Sequence, residues 1–238
     1  MVTSSKLLKD VFFCPEESNF YSQCLETLVL SQCAPSEVII EFGSGDGTPV
    51  ISSLLKSDFA GLIYGFEINK LSWKLAQAKI KEHQLSSKYV IQNESFFDVS
   101  RPTANYLISN PPYLPAADDN IYQPRLHGGT DGSTIASQLL SLGYDNVLLL
   151  VSSYSNPEGL INYAIAQGYH ISNFIVSPLK FGFYSSDPKV KTTILELRKQ
   201  SKAFYSNNIY LLAGVLFTKP DEHTVDLSTE LLQVLKSL

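Results

Sequence analysis

The sequence predicts an α/β fold built on a largely parallel β-sheet with helices on both faces. Short apolar runs of strand length recur along the chain, and helical patterns separate the first six of them. Strands of a parallel sheet are buried on both faces, so they appear as continuous apolar runs. The last run follows a long excursion and is expected to pair antiparallel to its neighbour. The seven predicted strands are residues 37–40, 61–66, 89–91, 106–108, 146–151, 171–176 and 209–217.

The helices are predicted from apolar residues that recur at the spacing of an amphipathic helix. Leu71, Leu75 and Ala78 form the predicted stripe of one helix. The predicted stripe of another consists of Leu160, Ile161, Ala164 and Ile165. The first helix precedes the first strand, so it is expected to pack across the sheet or to cover a cleft. The predicted helices are residues 16–31, 70–84, 130–142, 157–167 and 227–238.

The composition is that of a folded chain of moderate size. Of its 238 residues, 44% are hydrophobic and 17% are charged, which excludes an intrinsically disordered chain. The net charge of −5 argues against coating nucleic acid by bulk charge, although a local basic patch stays possible. No linker rich in Pro, Gly or Ser is present, so residues 1–238 are predicted to form a single domain. Within it, residues 1–35 form an N-terminal helical lead and residues 178–208 an insertion between the last two strands.

The three cysteines, Cys14, Cys24 and Cys33, include no CxxC pair and no cluster with metal-ligand spacing. They are expected to be buried or half-buried thiols in a reducing compartment, and no metal site is predicted. The first residues lack the long apolar core of a signal peptide, and the most apolar stretch, residues 209–217, is too short to cross a bilayer. A cytoplasmic protein without a membrane partner is therefore expected.

The sharpest local motif is a glycine loop in the segment V-I-I-E-F-G-S-G-D-G-T-P. A buried strand leads directly into Gly43, Gly45 and Gly47, whose spacing allows a tight turn and close approach of a ligand to the backbone. Thr48 is predicted as the cap of the following helix and Pro49 as its first residue. The alternative is an ordinary strand-to-helix turn, but three alternate glycines are more than such a turn needs.

The spacing of this loop indicates which class of ligand it would hold. A dinucleotide-binding loop has the pattern G-x-G-x-x-G and places a pyrophosphate over a helix N-terminus. The pattern in this chain is G-x-G-x-G, and Glu41 stands just before it. A carboxylate at that position would repel a pyrophosphate and suit a ligand that carries an ammonium or a sulfonium group.

Two further acids follow the next two strands. Glu67 comes directly after the second strand, where a carboxylate can accept hydrogen bonds from both hydroxyls of a ribose. Asp98 follows the third strand and could accept a hydrogen bond from an adenine amino group, with Phe96 or Phe97 lining the ring. The alternatives are a helix-dipole role for Glu67 and an ordinary turn for Asp98.

Taken together, the loop and the two acids resemble the S-adenosylmethionine-dependent methyltransferases of the Rossmann-like class. The resemblance implies S-adenosylmethionine as the cofactor and a seven-stranded, mostly parallel sheet whose last strand is reversed. A nicotinamide dehydrogenase is disfavoured by the glycine spacing and by Glu41. The resemblance implies that the following residues bind the cofactor: Glu41, Gly43, Ser44, Gly45, Gly47, Glu67, Ile68, Phe97 and Asp98.

A second motif, Asn110-Pro111-Pro112-Tyr113, follows the fourth strand, where open α/β sheets bind their ligands. The nitrogen of an amide or nucleobase amino group is planar and a poor nucleophile. Its hydrogens could be accepted by the Asn110 side-chain carbonyl and the Pro111 backbone carbonyl, which would orient the lone pair for transfer. The prolines stiffen the loop, and Tyr113 could stack on the target group. Asn110 is also expected to border the cofactor.

The motif is similar to that of the amino-methyltransferases, which modify adenine N6, guanine N2 or glutamine N5. Three other segments narrow the resemblance to the HemK/PrmC-type glutamine methyltransferases. These are P-R-L-H-G-G-T-D-G at residues 124–132, S-S-Y-S-N-P-E at residues 152–158, and C-P-E-E-S at residues 14–18. The last implies that Ser18 borders the cofactor pocket, although Ser18 could instead cap a helix.

The chain departs from that family in two places. Only about forty residues precede the glycine loop, so the helical domain with which bacterial members bind the release factor is expected to be absent. Residues 180–202 carry six basic and two acidic side chains, net +4, which leaves −9 for the rest of the chain. The segment is either a solvated helix face or a docking patch for RNA or an acidic protein.

The substrate therefore stays open between several classes. A protein glutamine side chain, for example in a translation factor, is the leading expectation. An adenine or guanine of RNA or DNA is the alternative. A cofactor-binding protein without transfer activity is a third possibility, which the complete N-P-P-Y motif argues against.

Overall fold

A computed structural model describes residues 11–220 and 225–238 of the chain. Residues 1–10 of the predicted N-terminal lead lie outside the described part. The chain divides into two compact units, one ending at Asn110 and the other beginning at Pro111. That residues 1–238 form a single domain stays a prediction.

The first unit contains four strands and three α-helices in its described part. A π-helical turn, Glu26–Leu30, continues the first helix. In chain order the elements are α1 (Pro15–Leu25), β1 (Val38–Phe42), α2 (Thr48–Lys56), β2 (Leu62–Phe66), α3 (Lys70–Glu82), β3 (Tyr89–Gln92) and β4 (Tyr106–Ser109).

The four strands of the first unit are parallel and lie in the order β3-β2-β1-β4. The apolar runs that predicted them are buried, as the fully enclosed Ile39, Ile63 and Leu107 show. Glu41 pairs with Gly65 across β1 and β2. Since parallel strands share one carboxyl edge, the residues that follow β1, β2, β3 and β4 come out at the same edge.

The predicted helix at residues 16–31 is confirmed, with its last turn in π-helical form. Phe20, Cys24 and Leu28 are buried, whereas Ser31 is exposed. The helix packs against α2, where the hydroxyls of Ser22 and Ser53 are 2.8 Å apart.

The second unit contains the remaining strands and four helices of the described part. In chain order these are α4 (Thr134–Leu140), β5 (Asn146–Ser152), α5 (Pro157–Ala166), β6 (His170–Lys180), α6 (Pro188–Lys199), β7 (Tyr205–Ser206), β8 (Ile209–Thr218) and α7 (Ser228–Leu235). Two short 3-10 turns, Pro124–Leu126 and Tyr184–Ser186, precede α4 and α6.

The strands of the second unit lie in the order β5-β8-β6, and β8 runs antiparallel to both neighbours. The reversed last strand is thus confirmed, and all seven predicted strands are present. The two-residue β7, which pairs with β8, was not predicted. Between β6 and β8 the structure places one 3-10 turn, α6 and β7. Asp187 caps α6 by accepting from the amides of Lys189 and Val190.

The predicted buried stripe of α3 is wrong. The buried residues are Ser72, Ala76 and Ile80, while Leu71 and Leu75 are exposed. The reason is close packing against the glycine loop, since a Cβ built on Gly47 would lie only 3.2 Å from that of Ala76. The helix turns small residues toward the loop, and the leucines are left on the outer face. Ile165 of α5 is likewise exposed rather than buried.

No helix within residues 11–220 and 225–238 is long and apolar enough to span a membrane. A cytoplasmic location stays a prediction.

The corrected orientation of α3 can be tested by truncating one residue on each face. Ile80→Ala should lower the free energy of unfolding by about 2–4 kcal/mol, because it opens a cavity in the core. Leu75→Ala should change it by less than about 0.5 kcal/mol, because Leu75 is on the exposed face. Urea denaturation measures both values. Equal costs for the two substitutions would contradict the observed face.

Candidate active site

The glycine loop connects β1 to α2, and its three glycines have left-handed backbone conformations. The φ angles are 69° at Gly43, 58° at Gly45 and 74° at Gly47. A Cβ on Gly43 or Gly45 would meet nothing within 4 Å, so open space lies over the first half of the loop. Gly47 instead packs inward. It is also the N-cap of α2, so the predicted cap Thr48 is the first helical residue.

The amide groups of the loop are already hydrogen-bonded within the first unit. Gly43 and Ser44 both donate to the Phe66 carbonyl, at 2.9 and 3.2 Å. Gly45 donates to a Glu67 carboxylate oxygen at 2.7 Å, and Gly47 donates to the Ser44 carbonyl. A dinucleotide site needs free amides for a pyrophosphate. The described contacts therefore agree with the exclusion of that ligand class.

Glu67 links the glycine loop to the start of α3. One carboxylate oxygen accepts from the Gly45 amide at 2.7 Å, and the other accepts from the Asn69 amide at 2.6 Å. Each carboxylate oxygen has two acceptor positions. Glu67 is thus both a local structural link and a candidate ribose ligand.

Two apolar side chains of the predicted cofactor set are exposed. Ile68 is 59% exposed and Phe97 is 42% exposed. The Phe97 ring rests on the rings of Phe42 and Phe96, with centroids 5.5 and 5.3 Å away. Asp98 is exposed in the adjoining turn. An exposed isoleucine and an exposed, well-supported phenylalanine are suitable surfaces for the faces of a flat ring.

Glu41 lies in the interior, with only 1% of its surface exposed. The Tyr89 hydroxyl donates a short hydrogen bond to its carboxyl. Burial raises the pKa of the carboxyl to about 7, although the hydrogen bond from Tyr89 opposes the shift. A direct role for its charge on a cationic ligand stays a prediction. In the structure, Glu41 supports the glycine loop from the core side.

Gly65 is a residue that the sequence reasoning missed. A Cβ at this position would lie 2.2 Å from the Ser44 hydroxyl and 3.2 Å from a Glu41 carboxyl oxygen. Because Gly65 has no side chain, β2 leaves space for the side chains of Ser44 and Glu41. A glycine inside an otherwise apolar strand is the signal that could have identified this close approach.

Ser18 lies half-buried in the first turn of α1, and its amide donates to the Cys14 carbonyl at 3.0 Å. Cys14 is the cap of this helix, so the alternative role of Ser18 as the cap is wrong. Its neighbour Glu17 is buried, which the sequence reasoning did not anticipate. The role of Ser18 at the cofactor stays a prediction.

Asn110 follows β4 directly. Its side-chain oxygen is buried and has no hydrogen-bond partner among the described residues. The preceding Ser109 donates to the Phe42 carbonyl at 2.9 Å, which ties the end of β4 to β1. A buried acceptor without a partner is costly unless a ligand or water satisfies it. Asn110 is therefore a candidate acceptor for a donor supplied by a ligand.

Pro111, Pro112 and Tyr113 belong to the second unit. Tyr113 is mostly buried, and its ring packs edge-on against Tyr154, with centroids 5.9 Å apart. The Ser155 hydroxyl donates to the Tyr113 carbonyl at 2.7 Å. The loop that carries the motif is thus held by the segment after β5.

Residues 124–132 support the same loop from another side. A Cβ on Gly128 would lie 2.7 Å from the Pro112 carbonyl oxygen, and one on Gly132 would lie 2.5 Å from the Tyr113 carbonyl oxygen. Gly132 also has a φ angle of 84°. The Gly128 amide donates to the Leu114 carbonyl. Gly128 and Gly132 of the G-G-T-D-G motif are therefore required, because their backbone approaches that of the P-P-Y loop too closely for a side chain.

Asp131 joins this segment to residues 152–158. Its carboxylate accepts from the Asn156 side chain at 2.6 Å and from both the amide and the hydroxyl of Ser133. Burial by itself raises the pKa of Asp131, but the bonds from Ser133 and Asn156 outweigh it and hold the pKa below its ordinary value. The two sequence segments that resemble the glutamine methyltransferases thus contact each other and the P-P-Y loop.

No family model and no curated protein match the sequence. The structure is similar to a proposed RNA methyltransferase from Pyrococcus horikoshii, with a TM-score of 0.59, 11% identity, and coverage of 89% of this chain and 88% of that one. It is also similar to magnesium protoporphyrin IX methyltransferase from Synechocystis with bound SAM, with a TM-score of 0.53, 15% identity, and coverage of 84% and 79%.

A third similar structure is the [4+2]-cyclase SpnF, with a TM-score of 0.53, 12% identity, and coverage of 85% of this chain and 80% of that one. Identities this low establish the fold alone. The fold is the Rossmann-like fold of the S-adenosylmethionine-dependent methyltransferases. The cyclase illustrates that this fold does not determine the reaction.

The buried carboxyl of Glu41 predicts a pH-dependent stability. Its pKa is about 7 in the folded protein and 4.5 as its ordinary value, so the folded state retains the proton between these pH values. The stability that this proton provides is complete below pH 4.5 and is lost as the pH rises through 7, by on the order of 3 kcal/mol. Glu41→Gln cannot ionise, and it should remove this part of the pH dependence. Chemical denaturation of both proteins at several pH values measures the difference. Parallel pH curves would contradict the burial of this carboxyl.

The tight contact at Gly128 predicts that even one methyl group disturbs the P-P-Y loop. Gly128→Ala should lower the free energy of unfolding by about 1–3 kcal/mol and increase cleavage of the loop in limited proteolysis. Gly182→Ala is the matched control, because a Cβ there meets nothing within 4 Å. If both variants resist protease as the wild type does, the backbone contact at Gly128 is not as tight as described.

Proposed function

We propose that the protein is an S-adenosylmethionine-dependent N-methyltransferase that acts on a planar amino group, with a protein glutamine side chain as the target. The observation that carries the proposal is the buried, unpartnered side-chain oxygen of Asn110. It stands in an N-P-P-Y motif directly after β4, in a chain with the methyltransferase fold. A buried acceptor without a hydrogen-bond partner suits an NH₂ group of a substrate, which would donate the missing hydrogen bond.

The residues of the first unit fit the cofactor. The space over Gly43 and Gly45 admits a ligand, Glu67 places a carboxylate at the end of β2 for ribose hydroxyls, and Ile68 and Phe97 offer apolar surfaces for an adenine. The loop amides are occupied, which favours a ligand without phosphates. When bound, S-adenosylmethionine supplies an electrophilic methyl group on a positively charged sulfur.

The contribution of the chain is mainly orientation. The Asn110 side-chain oxygen and the Pro111 carbonyl would each accept one hydrogen of the target amino group, which turns its lone pair toward the methyl donor. Pro111 and Pro112 limit the flexibility of the loop. After transfer the nitrogen loses a proton to solvent. The mechanism needs no strong base, because the sulfur leaves as a neutral thioether.

Glutamine is the preferred target because two of the three segments that resemble the glutamine methyltransferases, residues 124–132 and 152–158, contact and support the P-P-Y loop. The contacts between Asp131 and Asn156 and between Ser155 and Tyr113 give that resemblance a physical basis. The second candidate is an adenine N6 or guanine N2 of RNA or DNA. The net charge of +4 over residues 180–202 favours this alternative.

Two substitutions separate the proposed roles. Asn110→Ala should lower methyl transfer at least about 100-fold, because it removes an acceptor that acts on the reacting group, and should leave the dissociation constant for S-adenosylmethionine within about threefold. Glu67→Ala should raise that dissociation constant by about tenfold or more, because it removes a charged acceptor. Calorimetry measures binding, and labelled S-adenosylmethionine with cell extracts measures transfer.

Melting temperatures serve as the control for folding, and Glu67→Gln provides a milder variant in which one acceptor oxygen remains. Undiminished transfer by Asn110→Ala would refute the catalytic role. Absence of S-adenosylmethionine binding to the wild type would refute the proposed methyltransferase activity. Mass spectrometry of the labelled product identifies the target. Label confined to nuclease-sensitive material would refute glutamine and leave the nucleobase alternative.

A further inference from the structure

The turn that follows β3 carries the two residues that the sequence predicts at the adenine of the cofactor, Phe97 and Asp98. We call residues 95–98 the β3 turn. Within it, the Asp98 amide donates to the Ser95 carbonyl at 3.2 Å, which is the long end of the range for such a bond. The position of the β3 turn therefore depends on side-chain contacts as well as on its backbone.

Phe96 anchors the β3 turn in the first unit. Its side chain is buried, and its ring packs edge-on against Phe42 at 5.2 Å and against Phe66 at 5.4 Å between centroids. Phe42 is the last residue of β1, and Phe66 is the last residue of β2. The glycine loop and Glu67 come directly after these two residues. The β3 turn is thus packed against the strand ends that lead into the other predicted cofactor residues.

Arg101 holds Phe96 by both its ring and its backbone. The guanidinium carbon lies 4.6 Å from the centroid of the Phe96 ring, and the guanidinium donates a hydrogen bond to the Phe96 carbonyl. Arg101 is half-buried, and no ion pair between described residues involves it. A planar guanidinium can stack on a ring and donate hydrogen bonds in its own plane. The contacts of Arg101 therefore fix the residue next to Phe97 and do not neutralise a carboxylate.

Phe97 is supported by the same cluster of rings and is still accessible. Its ring lies 5.3 Å from that of Phe96, at an interplanar angle of 88°, and 5.5 Å from that of Phe42. The side chain is nevertheless 42% exposed. A ring that is supported by its neighbours and open to a ligand presents a fixed apolar surface, which lowers the entropic cost of binding. Because Phe96 and Phe97 are adjacent and in ring contact, a displacement of Phe96 would also move Phe97.

We propose that Arg101 is a positioning residue of the cofactor site, which sets the orientation of Phe97 against the adenine by holding Phe96. This inference rests on the proposed function, because it adds a residue to the same cofactor site. Arg101 acts on the affinity for the adenine half of the cofactor and takes no part in methyl transfer. Loss of the guanidinium is therefore expected to weaken cofactor binding only while the Phe97 ring is present.

The test measures the dissociation constants of the full chain for two ligands by calorimetry. The ligands are S-adenosylmethionine and methylthioadenosine, which retains the adenosine but lacks the amino acid and the positive charge. Arg101→Ala should raise both dissociation constants by the same factor, about fivefold or more, because the lost contacts concern the adenine. An effect that acted through charge would instead differ between the cationic and the neutral ligand. Phe97→Ala should raise both dissociation constants by about tenfold, because it removes the ring itself.

The double variant Arg101→Ala with Phe97→Ala separates a positioning role from a general structural role. In the Phe97→Ala background, Arg101→Ala should change both dissociation constants by less than about twofold, since the ring that it positions is gone. Arg198→Ala is the matched control, because its guanidinium lies over the Tyr205 ring, 4.2 Å from the centroid, in the second unit. It removes the same kind of contact and should also change both dissociation constants by less than about twofold.

Equal factors for Arg101→Ala in the presence and in the absence of the Phe97 ring would overturn the proposal. It would also be overturned if Arg101→Ala bound both ligands as the wild type does. Melting temperatures verify that each variant is folded at the temperature of the binding assay. If Arg101→Ala does not fold, Phe96→Leu takes its place, because leucine keeps the site apolar but removes the ring that the guanidinium covers. Phe96→Leu should likewise weaken binding only while the Phe97 ring is present.

These measurements are independent of methyl transfer. If the ligands bind and the variants behave as expected but nothing in the extracts is methylated, the proposed reaction fails while the role of Arg101 stands. If methyl transfer is observed but Arg101→Ala leaves both dissociation constants unchanged, the role of Arg101 fails while the proposed function stands. Absence of binding of both ligands to the wild type would overturn both.

Discussion

The candidate site depends on one set of hydrogen bonds, those between the glycine loop and the end of β2. The amides of Gly43, Ser44 and Gly45 turn back to the Phe66 carbonyl and the Glu67 carboxylate. The left-handed backbone conformations of the glycines allow the loop amides to point toward β2. The Asn69 amide donates to the second oxygen of Glu67 and so connects the same carboxylate to α3. The amides of Gly43, Ser44 and Gly45 are thereby engaged within the protein, and the space over Gly43 and Gly45 is open.

In the second unit the corresponding constraint is steric. The backbone of residues 128–132 approaches that of the P-P-Y loop so closely that Gly128 and Gly132 have no room for a side chain. Ser155 and the Asp131–Asn156 pair complete this support. Three motifs that are distant in sequence therefore serve one purpose, which is to fix the position of a short loop. Their joint presence indicates a loop that must be held accurately.

Much of the fold could be predicted from the sequence because the signals are local. Continuous apolar runs identify buried strands. The buried face of α3 could not be predicted, because Leu71, Leu75 and Ala78 form an apolar stripe as regular as the true one. Close packing of Ala76 on Gly47 decides between them, and that contact exists only in three dimensions. The interior position of Glu41 depends in the same way on Tyr89 and Gly65, which are remote in sequence.

The contact between Gly65 and Ser44 has a consequence for how the chain tolerates change. The space that a side chain would take in the middle of β2 is filled by a hydroxyl from the loop above it. The sizes of residues 44 and 65 are therefore not independent: a larger residue in the strand becomes acceptable only when the loop residue becomes smaller. In thermodynamic terms the two positions are coupled, and their substitutions are non-additive. Substitutions in β2 and in the glycine loop must consequently compensate each other. The ligand-facing loop is therefore constrained by the packing of the core.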